Sequence, residues 1–398
     1  MKICSCLACG SEELIPVLSF PKMPLTDRYM DILQDAESLR SYPLDAYFCS
    51  DCTHLQLGFQ VDPKESYTEY IYQSGVTPGL TDKFNSYARE VISMLAKESA
   101  NGSLQILDVG SNDGSFIQSL RLLGLSAYGV EPARSLSRMC NENSLPTLNS
   151  FFDEAIIDLL DKEGFPTRYD LISFNNVLAN VPRPLEALLI AKRLLRDSNS
   201  RISIQTGYHP LQFSRGLFDY IYHEHYSYFS LHSMRALASR AGLKISAFQK
   251  LDLRGGSARF YLSQSESEEL DMTRERFDSI SDYKALNTLI GASSASLKNA
   301  LIDYKRDGLT IIGFGASHST GTLIHSFQLS GLLDMVVDDN SLKHGKYVPG
   351  TSLRVFPSDV ALKDNSVIVV LAWQYFDLIA EKLRRRGFEG PVLRPVLP

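Results

Sequence analysis

The sequence has no long apolar run, no excess of basic residues and no apolar leader. Nowhere does it approach the ~18 consecutive apolar residues that a membrane span needs. Its opening, MKICSCLACG, lacks both the hydrophobic stretch and the small-residue cleavage site of an export signal. These lacks predict a cytoplasmic protein with no membrane contact. A net charge of −6 and a pI near 5.8 exclude the concentrated basic face that nucleic-acid binding requires, although a local basic cleft for one anionic ligand stays compatible with them. With 398 residues, 44% apolar and 22% charged, the chain has room for two or three domains of roughly 100–200 residues each.

Cysteine is scarce but crowded: of six, five fall within the first 52 residues. In a reducing compartment this crowding points to metal rather than disulfides. Cys6-Leu-Ala-Cys9 and Cys49-Ser-Asp-Cys52 are two C-x-x-C knuckles. Each presents two thiolates, so the pair completes a closed Cys4 zinc site with no position left for substrate, and the zinc is structural. Chance spacing or a redox pair is the competing reading. Cys4 lacks the two-residue spacing to Cys9.

Residues 1–66 show no long helical period and form the zinc-held lobe, with FPKMPLTDRY as a loop and YPLDAYFCSDCTHLQLGF alternating as strands. Residues 67–265 hold a helical pattern from Thr81 to Lys97 and then strand, glycine turn and helix in LQILDVGSNDGSFIQSLRLLG, repeated in SAYGVEP and YDLISFNNVLANVPRPLEALLIAKRLL. That alternation predicts a parallel doubly wound sheet. Residues 266–398 begin with a polar stretch leading to a long helix, after which the theme restarts at LTIIGFGASHSTGTLIHSF. The expected class is therefore α/β, a small Cys4 lobe followed by two Rossmann-like domains. A chain with its own three lobes is expected to be a monomer.

DVGSNDG sets Gly110, Asn112, Asp113 and Gly114 between a strand and a helix, where backbone approaches a ligand and N–H groups point outward. The spacing G-x-x-x-G is not the dinucleotide fingerprint and suits S-adenosylmethionine (SAM) better. Glu131 ends the next strand roughly 20 residues on, placed to accept from ribose hydroxyls. Asn175 and Asn176 follow a third strand at the same sheet edge.

Taken in order, the two knuckles, GSNDG, GVEPA, NNVLANVP, FDYIYHEHYSYFSL, RGGSAR, VVDDNSLKHGKYVPG and LAWQYFDLI resemble the sugar C-methyltransferases from Cys6 to the last strand. Those enzymes use SAM to methylate carbon 3 of nucleotide-linked 4-keto-6-deoxysugars. The resemblance implies that Tyr222, Glu224 and His225 form the catalytic cluster, with Tyr222 or His225 taking or relaying the C3 proton and Glu224 orienting a neighbour or a sugar hydroxyl. It also implies a role for Tyr72, with Tyr70 as the alternative. In an extended segment Tyr222, Glu224 and Tyr226 would face one way and His223 and His225 the other, so a turn is expected between Tyr222 and His225. The bland reading makes both histidines structural.

The chain departs from that family at several positions. Asn180 stands where the family has a catalytic histidine, and an amide exchanges no proton near neutral pH. Gln205 replaces a glutamate, Arg254 a histidine, and GASHSTG, Gly315 to Gly321, lacks a lysine whose part His318 and Ser319 would take. Arg254 and Arg259 around paired glycines, and Lys343 and Lys346 in LKHGKYVPG, are further candidates for a nucleotide diphosphate. Two other functions compete with SAM-dependent methyl transfer to a nucleotide-linked ketosugar. One is an NAD-dependent oxidoreductase built on GFGASHS with Asp338 or Asp339 on the ribose. The other is a binding protein that has lost methyl transfer through Asn180.

Overall fold

The computed structural model describes residues 1–67, 80–95, 104–265, 270, 273, 275–361 and 365–396. Its first layer is an antiparallel sheet of β1 (Leu14–Met23), β2 (Tyr42–Cys49) and β3 (Leu55–Leu57). The FPKM end of the expected loop belongs to β1. Its register against β2 slips between Phe20 and Met23, around Pro21, which has no N–H to give a ladder.

The central sheet starts with β4 (Gln105–Val109), β5 (Ser126–Val130), β6 (Thr147–Leu148), β7 (Leu171–Asn175) and β8 (Arg201–Gly207). These five are parallel in the order β6-β5-β4-β7-β8. The short strand β9 (Ser227–Tyr228) leaves this sheet and pairs with β3, Leu55 opposite Tyr228 and Gln56 opposite Ser227. The hairpin β10 (Lys244–Leu251) and β11 (Ser257–Ser263) then returns, with β11 antiparallel to β8. The parallel expectation thus holds for the βα repeats and fails at the hairpin, which needs no helical crossover.

A 27-residue helix, Ile280–Arg306, leads to an all-parallel sheet of β12 (Thr310–Phe314), β13 (Met335–Asp338), β14 (Val355–Pro357), β15 (Ser366–Val370) and β16 (Val392–Leu393), ordered β14-β13-β12-β15-β16. Both doubly wound sheets reverse direction beside their first strand. In the central sheet that switch point, between β4 and β7, opens the crevice where such folds bind ligands. One buried core runs from Val17, Leu18 and Phe48 of the first lobe through Phe218 and Ile221 to Leu323 and Phe327 of the last, so the three layers pack on each other.

Candidate active site

A cleft of about 680 Å³ opens at the carboxyl edge of the central sheet and is walled by all three layers. Its floor is the β4 turn. Gly110 has φ +65°, and a Cβ there would meet Val177 at 2.5 Å, so only glycine closes this turn. Most of the expected outward N–H groups are instead taken up within the turn. Gly110 and Ser111 donate to the Val130 carbonyl, Asn112 to Glu131 Oε2 at 2.8 Å, Gly114 to the Ser111 carbonyl and Ser115 to Asp113 Oδ1. A pyrophosphate would need those donors, so the turn suits an uncharged ribose and adenine rather than a dinucleotide.

Glu131 is clamped by Asn112 N–H on one oxygen and Ala133 N–H, at 2.8 Å, on the other. Burial pushes this carboxyl up, against the pull of both N–H groups. Each oxygen keeps a further lone pair for a ribose hydroxyl. Asn175 Nδ2 donates to Asp108 Oδ1 at 2.9 Å while its own Oδ1 is buried with no partner among the described residues. Asp108, which also accepts from Ser173 Oγ at 2.7 Å, is driven by burial to a pKa of about 7. Gly110, Asn112, Asp113, Glu131, Asn175 and Asn176 all line the cleft. Orphan acceptor, clamped carboxylate and glycine turn fit SAM.

Gly114 does not line it. With φ +75° it caps the helix Ser115–Leu122, and a Cβ would strike Leu145 at 2.7 Å. Asp108, Phe151 and Phe152 line the cleft without having been singled out from sequence. Asp108 had a signal, a carboxylate inside an apolar strand. The phenylalanines had none.

The chain from Phe218 to Ser230 forms the opposite wall. A turn in which His225 N–H donates to the Tyr222 carbonyl at 3.0 Å brings Tyr222 Oη to 2.9 Å from His225 Nε2. Their rings lie 4.1 Å apart. Tyr222, Glu224 and His225 line the cleft, whereas His223 Nε2 donates to the Tyr42 carbonyl at 3.3 Å and Tyr226 Oη donates to the Val61 carbonyl at 2.8 Å. His223 thus faces the backbone of the first lobe and His225 faces the cleft. Burial, reinforced by His318, pushes the His225 imidazole down to about 3, and burial pushes the Glu224 carboxyl up to about 7. Glu224 Oε2 and Asn180 Oδ1 are buried with no partner among the described residues.

Of the remaining candidates, Arg254 and His318 line the cleft. Arg259 does not. On β11 it is buried, donating to Glu90 Oε2 at 2.6 Å and Gln205 Oε1 at 2.7 Å, over the Tyr87 ring at 3.5 Å. Lys343 is held by Asp27 Oδ1 at 2.6 Å and the Ala316 carbonyl at 2.7 Å, and Lys346 by Asp31 at 2.7 Å. Neither lysine lines the cleft; opposite charges from the first lobe engage both. Gly315, with φ +111°, lies against Ala372 and shapes its turn rather than meeting ligand. Tyr72 lies outside the described residues, as does Tyr70.

The NAD reading loses its residues to the fold. Ala316 N–H donates to Asp338 Oδ2 at 2.6 Å and Ser317 N–H to Thr320 Oγ1 at 3.0 Å, closing the second glycine turn on itself. Asp339 is taken by Ser358 and Lys382.

The four sulfurs of Cys6, Cys9, Cys49 and Cys52 lie within 4.8 Å of one another, with Cys6 to Cys52 at 3.6 Å and Cys9 to Cys49 at 3.5 Å. Zinc–sulfur bonds of about 2.3 Å in a tetrahedron put sulfurs about 3.8 Å apart, so the cluster fits zinc. Cys4 is exposed and outside it. The second knuckle joins β2 to β3, and β3 pairs with β9, just after the turn that carries Tyr222 and His225. The first lobe also adds Lys64 and Tyr67 to the cleft wall, Tyr67 Oη donating to the Glu224 carbonyl at 3.3 Å. Nothing in the knuckle spacing announced this.

Three family models tile the chain: a zinc binding domain at residues 6–67, a methyltransferase domain at 81–247 and a C-methyltransferase C-terminal domain at 252–393. The chain is 24% identical over 388 residues to the C-methyltransferase NovU of Streptomyces niveus, covering 93% of this chain and 90% of that one. Among solved structures, magnesium protoporphyrin IX methyltransferase (ChlM) of Synechocystis with bound SAM superposes with a TM-score of 0.35 at 13% identity, covering 48% of this chain and 85% of that one. The CurJ carbon methyltransferase gives 0.36 at 13% identity, covering 48% and 56%.

Proposed function

This chain belongs to the SAM-dependent C-methyltransferases that carry an N-terminal zinc-binding domain, and from that premise we propose that it methylates carbon 3 of a nucleotide-linked 4-keto-6-deoxysugar. The observation that carries the reading is the Tyr222 and His225 pair, 2.9 Å apart on the wall facing Gly110 and Glu131. SAM supplies a methyl carbon made electrophilic by its sulfonium. The protein must do the rest.

A C–H beside a ketone is weakly acidic, so a base has to take the proton while the oxygen that becomes enolate is met by donors. Tyr222 and His225 are the proton-transfer pair. Through their shared hydrogen bond they take or relay the C3 proton. Glu224, protonated over much of the neutral range, donates to a sugar hydroxyl or to the carbonyl oxygen. Asn180 orients the sugar through its amide and moves no proton. Arg254, which lines the cleft with His318, meets the nucleotide's charge.

The test is incubation of the purified protein with SAM carrying a labelled methyl group and a panel of dTDP-, GDP- and CDP-linked 4-ketosugars. Label at carbon 3 of one sugar supports the reading. Label elsewhere, or transfer only to acceptors without a ketone, overturns it.

A further inference from the structure

Two imidazoles flank Tyr222, and they are not equivalent. His225 shares a hydrogen bond with the phenol, but among the described residues it makes no ion pair. His318 comes from the C-terminal layer, first residue of the helix His318–Phe327. Its ring lies 5.6 Å from that of Tyr222, and its Nε2 is 3.3 Å from Asp27 Oδ2. Asp27 belongs to the first lobe, on the loop after β1.

That loop is docked, not merely nearby. Gly321, one turn along the helix from His318, has no side chain where a Cβ would sit 2.9 Å from Thr26. Met30 and Tyr347 exchange backbone hydrogen bonds at 3.3 and 2.7 Å. Lys343 ties the other Asp27 oxygen down. The carboxylate is thus fixed against the far nitrogen of a histidine that lines the cleft.

We propose that His318 is the group that holds the proton removed from the ketosugar, with Asp27 as its positioning residue. The proposal rests on the function proposed above and adds the destination of the proton. In that reaction the C3–H bond breaks and leaves its electron pair in the enolate. The pair forms the new carbon–carbon bond, and the methyl–sulfur pair stays on sulfur as a neutral thioether. One proton is left over and needs a holder. Asp27 accepts Nε2–H of His318, which fixes the tautomer, leaves Nδ1 as acceptor and stabilises the imidazolium that forms.

The charged and titratable groups around His318 are Asp27, Lys343, Arg254, Tyr222 and His225. Burial, Lys343 and Arg254 push the imidazole down and Asp27 pulls it up; the net direction is down and the resting ring is neutral. Burial alone would raise the Asp27 carboxyl, but the net direction is down, and with the His318 ring neutral it is the Lys343 ammonium, 2.6 Å from Oδ1, that holds it ionised.

The decisive variant is His318→Gln, which leaves the Asp27 and Lys343 pair intact. With S-adenosylhomocysteine in place of SAM, exchange of the C3 proton with deuterated solvent is expected to slow by roughly 10²–10⁴-fold, and kcat for methyl transfer likewise, with KM little changed. Asp27→Asn should move the rising limb of the pH profile to lower pH, and Asp27→Glu should return it. Exchange at the unaltered rate in His318→Gln, with only KM raised, overturns the proposal and leaves His318 a binding residue. If the unaltered enzyme exchanges and methylates no ketosugar, the parent reading fails instead. Ring 15N shifts then judge the pair: an Nε2–H tautomer lost in Asp27→Asn supports it, and an Nδ1–H tautomer in the unaltered protein overturns it.

Discussion

Arg259 lies 2.6 Å from the Glu90 carboxylate and 3.5 Å over the centre of the Tyr87 ring, a buried cation bound by a helix that precedes the central sheet. Gln205 on β8 takes its other arm. Its place on a glycine-rich hairpin suggested diphosphate binding from sequence, and its partners assign it to the fold. Arg259→Met should therefore lower stability by about 1–3 kcal/mol, since it leaves Gln205 and Glu90 Oε2 without their donor, Tyr261 holding only Glu90 Oε1. Denaturant unfolding measures this. KM for the sugar nucleotide should stay put, and a raised KM with unchanged stability would restore the substrate role.

Arg254, a few residues away, should behave in the opposite way. It lines the cleft, and Arg254→Met should raise KM or Kd for the nucleotide sugar by about 10- to 100-fold, the scale of a charge-assisted hydrogen bond. Calorimetry with the nucleotide diphosphate alone tests this, and equal affinity in both proteins would remove Arg254 from the substrate site.

Tyr222→Phe and His225→Ala should each slow turnover by roughly 10²–10⁴-fold while leaving SAM binding intact. The two effects should not multiply, because the 2.9 Å contact makes the pair one unit. A double variant that loses the full product of both would show that they act independently.

Glu224 makes stability depend on pH. Its ordinary pKa of 4.5 rises to about 7 on burial, so the native state keeps a proton that the unfolded chain has lost. Stability is full below about pH 4.5, falls as pH rises toward 7 and levels off above it, by on the order of 3 kcal/mol. Glu224→Gln should flatten that slope, gaining on the wild type at pH 8 and not at pH 4.5. Urea unfolding at the two values decides; parallel slopes would mean the carboxyl is solvated.

Zinc should bind one ion per chain, and its removal should cost activity as well as stability. The knuckle at Cys49 and Cys52 fixes β3 against β9, so loosening it frees the segment that carries Tyr222 and His225. Metal analysis of Cys49→Ser and Cys6→Ser gives the stoichiometry. Full methyl transfer in a metal-free variant would show that the lobe is dispensable to the site.

Much of the architecture was legible because it is local. Two C-x-x-C knuckles specify a tetrahedral site from spacing alone. Alternation of apolar strands with helical periods announces a doubly wound sheet, and Gly110, Glu131 and Asn175 fall at its carboxyl edge by the same rule. The hairpin of β10 and β11 was less legible, since an antiparallel strand follows the same apolar pattern as a parallel one.

Side-chain type and local period determined the zinc ligands, the two Rossmann-like units and the segment rich in tyrosine and histidine. Only the folded chain decided which of those groups meet, because meeting depends on contacts between residues hundreds of positions apart. Asp27 against His318, Tyr67 against the Glu224 backbone, and the capture of Arg259, Lys343 and Lys346 by carboxylates elsewhere all arise when three layers close on one another. A charge's partner is set by proximity after packing, and proximity of that kind leaves no mark in spacing.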